Sequence, residues 1–418
     1  MLLKISKTTK LKGCIRIGGS KNATLPLMVT HLLTDEMIVL NNVPCISDVE
    51  NMIKILKSVG SFIDFNKEKK TLFLKRDKQS KILDSKLISQ IRASYYIMGA
   101  YIARGINFKI KYPGGCSFSK RPIDYHLDAF KKMGYEIYEK FGLLSFKKVK
   151  KYPKRLMINL EKQSVGATIN ILLAGSIQSA ITTITNASVE PEVLDVISLL
   201  NKMGTFVEVI ENKIIIYGSQ NLKGANHKVI SDRIETGSYM LLASAVEESE
   251  VVLKNVDLCY LSEVINVIKQ LGVSIETSTN EIKIIKEKQL KGINLIVDVY
   301  PHFPTDLQQL LCVVCTQAKE KSIIIDNVYP DRTTQIMEIN KARGNVLLEE
   351  KKIYIYPTKL VGTTVKAHDL RCGFACIIMG AIAENQTYIE DSEYIFRGYE
   401  ELIYKLKSLG IEAILASN

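Results

Sequence analysis

Six times along the chain, a stretch with apolar residues at every third or fourth position runs up to a glycine and continues into a short β-branched segment. The stretches are "MIKILKSVGSFI", "DAFKKMGYEI", "VISLLNKMGTFV", "VINVIKQLGVSI", "EINKARGNVL" and "IYKLKSLGIEA". Their glycines, Gly60, Gly134, Gly204, Gly272, Gly344 and Gly410, fall about seventy residues apart. The spacing predicts amphipathic helices, and a glycine after each is what a left-handed C-cap requires. Upstream lie segments that are apolar on most faces, such as "TINILLAGSIQSAITTITNAS", "GSYMLLASAVEESEVVLKNV" and "FACIIMGAIAENQTYIEDS". A helix apolar nearly all round has to lie inside. The expected repeat is therefore helix, strand, helix, strand pair, with the apolar helices enclosed by sheets and amphipathic helices. Six repeats divide into two α/β lobes of three, with a boundary near residues 226–232.

The starts of the enclosed helices carry the candidate chemistry. In order they read "GGSKNA" (Lys21, Asn22), "IRAS" (Arg92), "KQSVGAT" (Lys162, Ser164), "DRIETG" (Arg233, Glu235), "FPTD" (Thr305, Asp306) and "HDLRCG" (Asp369, Arg371). A helix N-terminus exposes unpaired N–H groups and a partial positive charge, so several such ends with Lys and Arg beside them form an anion trap. Capping alone accounts for Ser164, Thr305 and Asp369. It does not account for Lys21, Arg92, Arg233 and Arg371, because cations oppose the dipole at that end.

Composition narrows the class. A hydrophobic share of 46%, with few prolines and no low-complexity tract, fits a globular chain. Its longest apolar runs, "INILLAGSI" and "LLCVVC", fall short of the roughly 20 residues that span a bilayer. The opening "MLLKISKTTKLKG" has charge but no apolar core of a leader, so a cytoplasmic protein without a membrane partner is expected. The net charge of +12 points to anionic partners. The densest basic run, "KKVKKYPKR" from Lys147 to Arg155, has no nucleic-acid-binding motif beside it and reads as a solvated connection, so no nucleic-acid partner is expected.

Eight cysteines are spread along the chain, a pattern of free thiols and not of a disulfide frame. Cys312-x-x-Cys315 has half the spacing of a zinc site, but it lies in an apolar helical stretch with no second ligand pair. No metal is expected there. Cys116 is different. In "YPGGCSFSKRPIDYH" it follows two glycines that supply a hinge, and it precedes Lys120 and Arg121, which favour thiolate.

The helix starts and the cysteine loop together closely resemble the enolpyruvyl transferase family, in its branch that acts on a nucleotide sugar. The pieces that carry the resemblance, in order, are "GGSKNATLP", "RASYYIMGAYIARG", "PGGCSFSKRPIDYH", "SVGATINI", "EPEVLDV", "DRIETG", "FPTDLQ", "DLRCG" and "RGYEEL". They extend over essentially the whole chain. The resemblance implies two inside-out α/β barrel lobes with the active site in the cleft between them. It places residues 1–21 with 231–418 in one lobe and 22–230 in the other, which carries the Cys116 loop. It also implies the reaction: the enolpyruvyl group of phosphoenolpyruvate passes to the 3'-hydroxyl of UDP-N-acetylglucosamine, through a tetrahedral intermediate, with release of phosphate. That is the first committed step of peptidoglycan synthesis. No cofactor is implied, and an oligomer is not required.

By the same resemblance Lys21, Arg121 and Arg397 bind the phosphate of phosphoenolpyruvate, while Arg371 and Arg332 neutralise charge around the reacting carbons. Arg92, the run Arg121, Pro122, Ile123, Asp124 and Tyr125, the segment with Lys162, Ser164 and Val165, and Val328 hold the nucleotide sugar. Asn22, Glu190, Arg233 and Thr305 line the cleft. Asp306 is the implied base for the sugar hydroxyl. Cys116 is the implied proton donor to C3, and its thiol can bond to phosphoenolpyruvate or fosfomycin. Lys21, Cys116, Asp306 and Arg397 thus form the catalytic set.

The sequence departs from the family pattern at Tyr394, where a histidine is usual, at Val189 before Glu190, and in "YPDRTTQ" and "KARGN". These departures put the packing around Arg332 and Arg397 in question. Two other readings stand beside the main one. The shikimate-pathway enolpyruvyl transferase has no such cysteine loop, and a non-catalytic basic repeat scaffold would lack the chemistry at the helix starts.

Overall fold

The computed structural model describes residues 1–83, 86–114 and 123–416. Cys116, Lys120, Arg121 and Pro122 lie outside the described residues. The chain forms two compact units, one from residues 1–18 and 231–416, the other from the described residues of 19–230. Each unit contains three four-stranded sheets, and none of the six closes on itself among the described residues.

One repeat shows how all are made. Arg155–Asn159 leads into the helix Val165–Ser176, and Ile181–Thr185 returns parallel to the first strand, with Met157 opposite Thr183. A parallel return needs a long crossover, and the helix supplies it. The amphipathic helix Pro191–Met203 follows, then the antiparallel hairpin Phe206–Ile210 and Lys213–Tyr217.

The crossover helices lie inside. In Val165–Ser176 every residue after the first is buried, and in Arg233–Ala245 every residue is. Small residues allow the helices to approach one another. A Cβ on Gly99, in the helix Tyr96–Ala103, would fall 2.6 Å from Oδ1 and 2.7 Å from the carbonyl oxygen of Asn170 in Val165–Ser176. No helix among the described residues is long and apolar enough to cross a membrane.

Strand exchange at the start of the chain was invisible in the repeat pattern. Lys10–Arg16 pairs parallel with Glu248–Lys254, while the strand that pairs parallel with Ile38–Asn41 is Ala225–Lys228. Leu2–Ser6 lies between Gln386–Glu390 and Ala413–Ala416, antiparallel to both. The buried helix Lys21–Val29 and the strand before it in sequence therefore serve different units.

The fifth repeat corrects the expected cap. Gly60, Gly134, Gly204, Gly272 and Gly410 take φ between +90° and +110°, as a left-handed cap requires. Gly344 does not; Arg343 does, with φ +63°. Closing bonds fix the register. The N–H of Gly344 donates to the carbonyl of Ile339 at 2.9 Å, as that of Thr205 does to Leu200 and that of Ile411 to Leu406. Arg343 thus stands where the other repeats place glycine. Gly344 stays small for another reason: a Cβ there would come within 2.3 Å of Ile339 Cγ2.

Equilibrium unfolding in denaturant tests this register. Arg343→Gly relieves a left-handed strain of about 1–2 kcal/mol, partly offset by the freedom glycine adds to the unfolded chain, for a net gain of about 0.5 kcal/mol. Gly344→Ala costs about 1–3 kcal/mol by overpacking against Ile339. The opposite pair of signs contradicts the register.

Candidate functional site

In the unit containing the C-terminal half of the chain, the helices Arg233–Ala245, Thr305–Cys315 and Leu370–Ile382 pack on one another. The starts of the last two are bonded to each other at Asp306, and Ser238 of the first reaches Arg371 through Tyr399. Oδ1 of Asp306 accepts Nη1 of Arg332 at 2.7 Å, and its Oδ2 accepts Nη2 and Nε of Arg371 at 2.9 and 3.2 Å. Both Arg371 donors thus converge on one carboxylate oxygen and leave the other to Arg332. Burial by itself would raise Asp306, but Arg371 and Arg332 outweigh it and hold the carboxyl well below the ordinary carboxylate range.

Both arginines are buried at 5% exposure, so neighbours fix their orientation. Arg332 also donates to the carbonyl of Thr305 at 2.9 Å, and its guanidinium lies 5.2 Å from the ring centre of Tyr329. Arg371 donates to the phenol oxygen of Tyr399 at 3.2 Å, and that phenol is hydrogen-bonded to Ser238 at 2.7 Å. Burial pushes the Tyr399 phenol up to about 12, so it remains a neutral partner. The atypical segment around Arg332 still delivers its guanidinium to Asp306.

Capping explains part of the sequence pattern. Ser164 caps its helix by accepting from the N–H of Ala167, and Asp369 accepts from those of Arg371 and Cys372. Thr305 does not cap. Its hydroxyl donates to Oδ2 of Asp326 at 2.6 Å, while Oδ1 of Asp326 accepts from the N–H groups of Val328 and Tyr329. One buried carboxylate therefore ties Thr305 to the Val328 turn. Arg233 is buried, with its guanidinium 5.7 Å from the ring centre of Tyr300. Glu235 accepts from Lys405 at 2.6 Å and from the N–H of Gly18 at 2.8 Å, which anchors this helix to the start of the chain. Arg397 ends the short helical turn Ser392–Arg397, half-buried and two residues before Tyr399, while Tyr394 is exposed on the same turn.

The other unit holds the remaining candidates. Lys21 is the first residue of Lys21–Val29, whose cap Ser20 accepts from the N–H of Ala23. Its ammonium lies 3.3 Å from Oδ2 of Asp48, a buried residue in the first turn of Ser47–Ser58. Asn22 is half-buried beside it. The Arg92 guanidinium sits 5.5 Å from the ring centre of Tyr95. Ile123 is buried, Asp124 exposed and Tyr125 half-buried at the start of Asp124–Lys132. Lys162 is exposed just before the Ser164 cap, Val165 is half-buried, and Glu190 occupies the N-cap position of Pro191–Met203 without a side-chain capping bond.

Beneath these residues His126 is buried and pushed down to about 3, chiefly by burial and also by Arg92. Asn170 takes the Gly99 N–H on its Oδ1, so its amide nitrogen faces Nδ1 of the neutral imidazole at 2.8 Å. The imidazole proton therefore rests on Nε2.

Sequence reading passed over Asp48, Asp326, Tyr399 and Asn170. Tyr399 lies in the quoted "RGYEEL" motif and could have been named. Asp48 looks like an ordinary first-turn acid, and nothing local links Asp326 to Thr305. Cys312 and Cys315 lie in the core of Thr305–Cys315, and burial pushes the Cys315 thiol up to about 12. The run Lys147–Arg155 is largely exposed.

Known proteins resemble this chain along its whole length. The sequence model of the EPSP synthase (3-phosphoshikimate 1-carboxyvinyltransferase) family matches residues 5–406. A UDP-N-acetylglucosamine 1-carboxyvinyltransferase of Halothermothrix orenii is 36% identical over 403 residues, covering 96% of each chain. One from Wolbachia pipientis wMel is 36% identical over 417 residues, covering 97% of each. Among solved structures, the enolpyruvyl transferase NikO from Streptomyces tendae superimposes with a TM-score of 0.90 at 18% identity, over 100% of this chain and 99% of that one. EPSP synthase from Acinetobacter baumannii gives a TM-score of 0.77 at 18% identity over 100% of both. At that identity the structures establish the fold. The family match and the 36% relatives go further: this chain belongs to the EPSP synthase family of enolpyruvyl transferases.

Proposed function

We propose that this protein transfers the enolpyruvyl group of phosphoenolpyruvate to the 3'-hydroxyl of UDP-N-acetylglucosamine and releases phosphate. Curated relatives at 36% identity over nearly the full length carry the name of that activity. The shikimate-pathway reaction is less supported: its representatives among the solved structures share only 17–18% of the sequence. The observation that carries the mechanism is Asp306 held between Arg332 and Arg371 at the start of a buried helix.

In the addition step the sugar hydroxyl oxygen bonds to C2 of phosphoenolpyruvate, the C2–C3 π pair takes a proton at C3, and the hydroxyl proton leaves to a base. In the elimination step C3 loses a proton, the double bond re-forms, and the C2–O bond to phosphate breaks. Asp306 is the base for the hydroxyl. While two guanidinium groups occupy both its oxygens it is a poor one. The carboxylate and phosphate of phosphoenolpyruvate compete for those guanidinium groups, and a loosened Asp306 regains proton affinity where it is needed. Arg332 and Arg371 then stabilise the negative charge of the intermediate.

Lys21, Arg121 and Arg397 take the phosphate. Arg92, the run from Arg121 to Tyr125, Lys162 to Val165, and Val328 take the nucleotide sugar, with Asn22, Glu190, Arg233 and Thr305 around the substrates. Cys116 supplies the C3 proton. The nearby cations favour thiolate, and a bound phosphate returns the thiol to its protonated state.

Phosphate release from phosphoenolpyruvate that depends on added UDP-N-acetylglucosamine is the direct test of the activity; release without the sugar, or none, rejects it. Asp306→Asn should lower kcat by about 10²–10⁴ while the nucleotide sugar still raises the melting temperature. Undiminished turnover would remove Asp306 as the base. Because its folded value is depressed, the stability its ion pairs contribute is complete above about pH 3.9 and is lost as pH falls through the lower folded value. No Asp306 limb is therefore expected in kcat/KM between about pH 6 and 8.

Cys116→Ser should abolish alkylation by fosfomycin, read by mass spectrometry, and Cys116→Asp should keep turnover because a carboxylic acid can still deliver a proton. Alkylation rates against pH should give a higher thiol pKa with ligand bound. Equal values in both states count against the protonation switch.

A further inference from the structure

The second repeat carries slightly more than the whole net charge of the chain. Residues 78–155 hold eighteen Lys and Arg against five Asp and Glu, so the rest of the chain is close to neutral. Its sheet is ordered Ile82–Leu83, Phe108–Lys111, Leu143–Lys148, Tyr135–Lys140. The register assigns its outward face. Ile82 pairs with Lys109, Lys109 with Ser145 and Ser145 with Tyr138; beside that row Lys111 pairs with Leu143 and Leu143 with Lys140; Lys147 faces Glu136. The inward positions are filled by buried Phe108, Ile110, Leu144 and Phe146. Four lysines, one glutamate, one serine, Tyr138 and the aliphatic Ile82 and Leu143 thus share one outer face, and the exposed basic run to Arg155 continues from it.

The tip of that sheet is unusual in two ways. Phe141 and Gly142 form a two-residue hairpin turn with φ of +53° and +72°, a conformation that favours Asn-Gly and is costly for a bulky side chain. Phe141 is also 96% exposed, the most exposed of the large hydrophobic residues among those described. The same turn position in two other repeats holds Glu211 and Glu350, at φ of +52° and +47°. Folding gains nothing from a phenylalanine there. Lys140 sits 5.4 Å from its ring centre, so the apolar tip carries a cation at its base.

We infer that this face docks on a negatively charged phospholipid bilayer, with the Phe141 ring entering the headgroup region and Lys109, Lys111, Lys140 and Lys147 facing the lipid phosphates. Basic surfaces studded with aromatic and aliphatic side chains bind such interfaces without spanning them. This departs from the expectation of no membrane partner, which rested on the lack of a spanning run and of an apolar leader or anchor. A nucleic acid would also attract the lysines, and unpaired bases stack on aromatic rings, but it offers no apolar partner to the aliphatic Ile82 and Leu143. The inference is independent of the transferase reading, since none of these residues belongs to its substrate-binding set.

Co-sedimentation of the full chain with vesicles of phosphatidylcholine, with and without phosphatidylglycerol, tests it. Binding is expected only with the anionic lipid and should weaken with salt. Phe141→Asn suits the turn, so folding is kept, and it should weaken binding about tenfold or more. Lys109→Gln combined with Lys147→Gln should weaken it about 25-fold, from roughly fivefold per cation. Turnover of all variants should be unchanged. Equal binding to neutral vesicles, no binding to anionic ones, or Phe141→Asn binding like the parent chain overturns the inference. So does capture of a single-stranded oligonucleotide in place of the vesicles.

Discussion

A helix that is apolar on every side can only be stable inside, and it carries its N-terminal N–H groups inside with it. The fold depends on meeting those donors. Ser20, Ser164, Asp232 and Asp369 do so at four of the buried helices. The residues next to these caps, Lys21, Arg233 and Arg371, are placed against the helix dipole and held by partners elsewhere in the fold: Asp48, the Tyr300 ring, and Asp306 with Tyr399. Cations at such ends oppose the dipole, and these partners offset part of that cost.

The Asp306 cluster shows how one arrangement serves both stability and chemistry. A carboxylate between two buried guanidinium groups is an ion pair in the resting protein and a poor base. In the proposed reaction the same guanidinium groups meet a substrate that brings its own carboxylate and phosphate. Around this cluster, Asp326 and Tyr399 fix Thr305 and Arg371 through hydrogen bonds.

Repetition also makes departures readable. When the same turn recurs, a residue that breaks the local rule stands out against its counterparts. Arg343 does so where other repeats use glycine, while the glycine one residue on is held by Ile339, which leaves no room for a Cβ at Gly344. Phe141 does so where Glu211 and Glu350 stand, and there no packing partner explains it. The first departure lies beside a packing constraint inside the fold, while the second points outward.

The sequence by itself determined the repeat, the burial of the apolar helices and the residue types at their starts, because periodicity and capping are local properties of the chain. It also contained the motif order that carries the family resemblance. Only the tertiary structure decided which strand joins which sheet at the start of the chain, since Lys10–Arg16 and Ala225–Lys228 have no local feature that selects a distant partner. It alone decided that Asp306 faces two arginines 26 and 65 residues away, that Thr305 bonds Asp326 instead of capping its helix, and that Asp48 meets Lys21. Ion pairs between helix starts depend on how repeats pack, and packing is a property of the whole unit that no window of sequence contains.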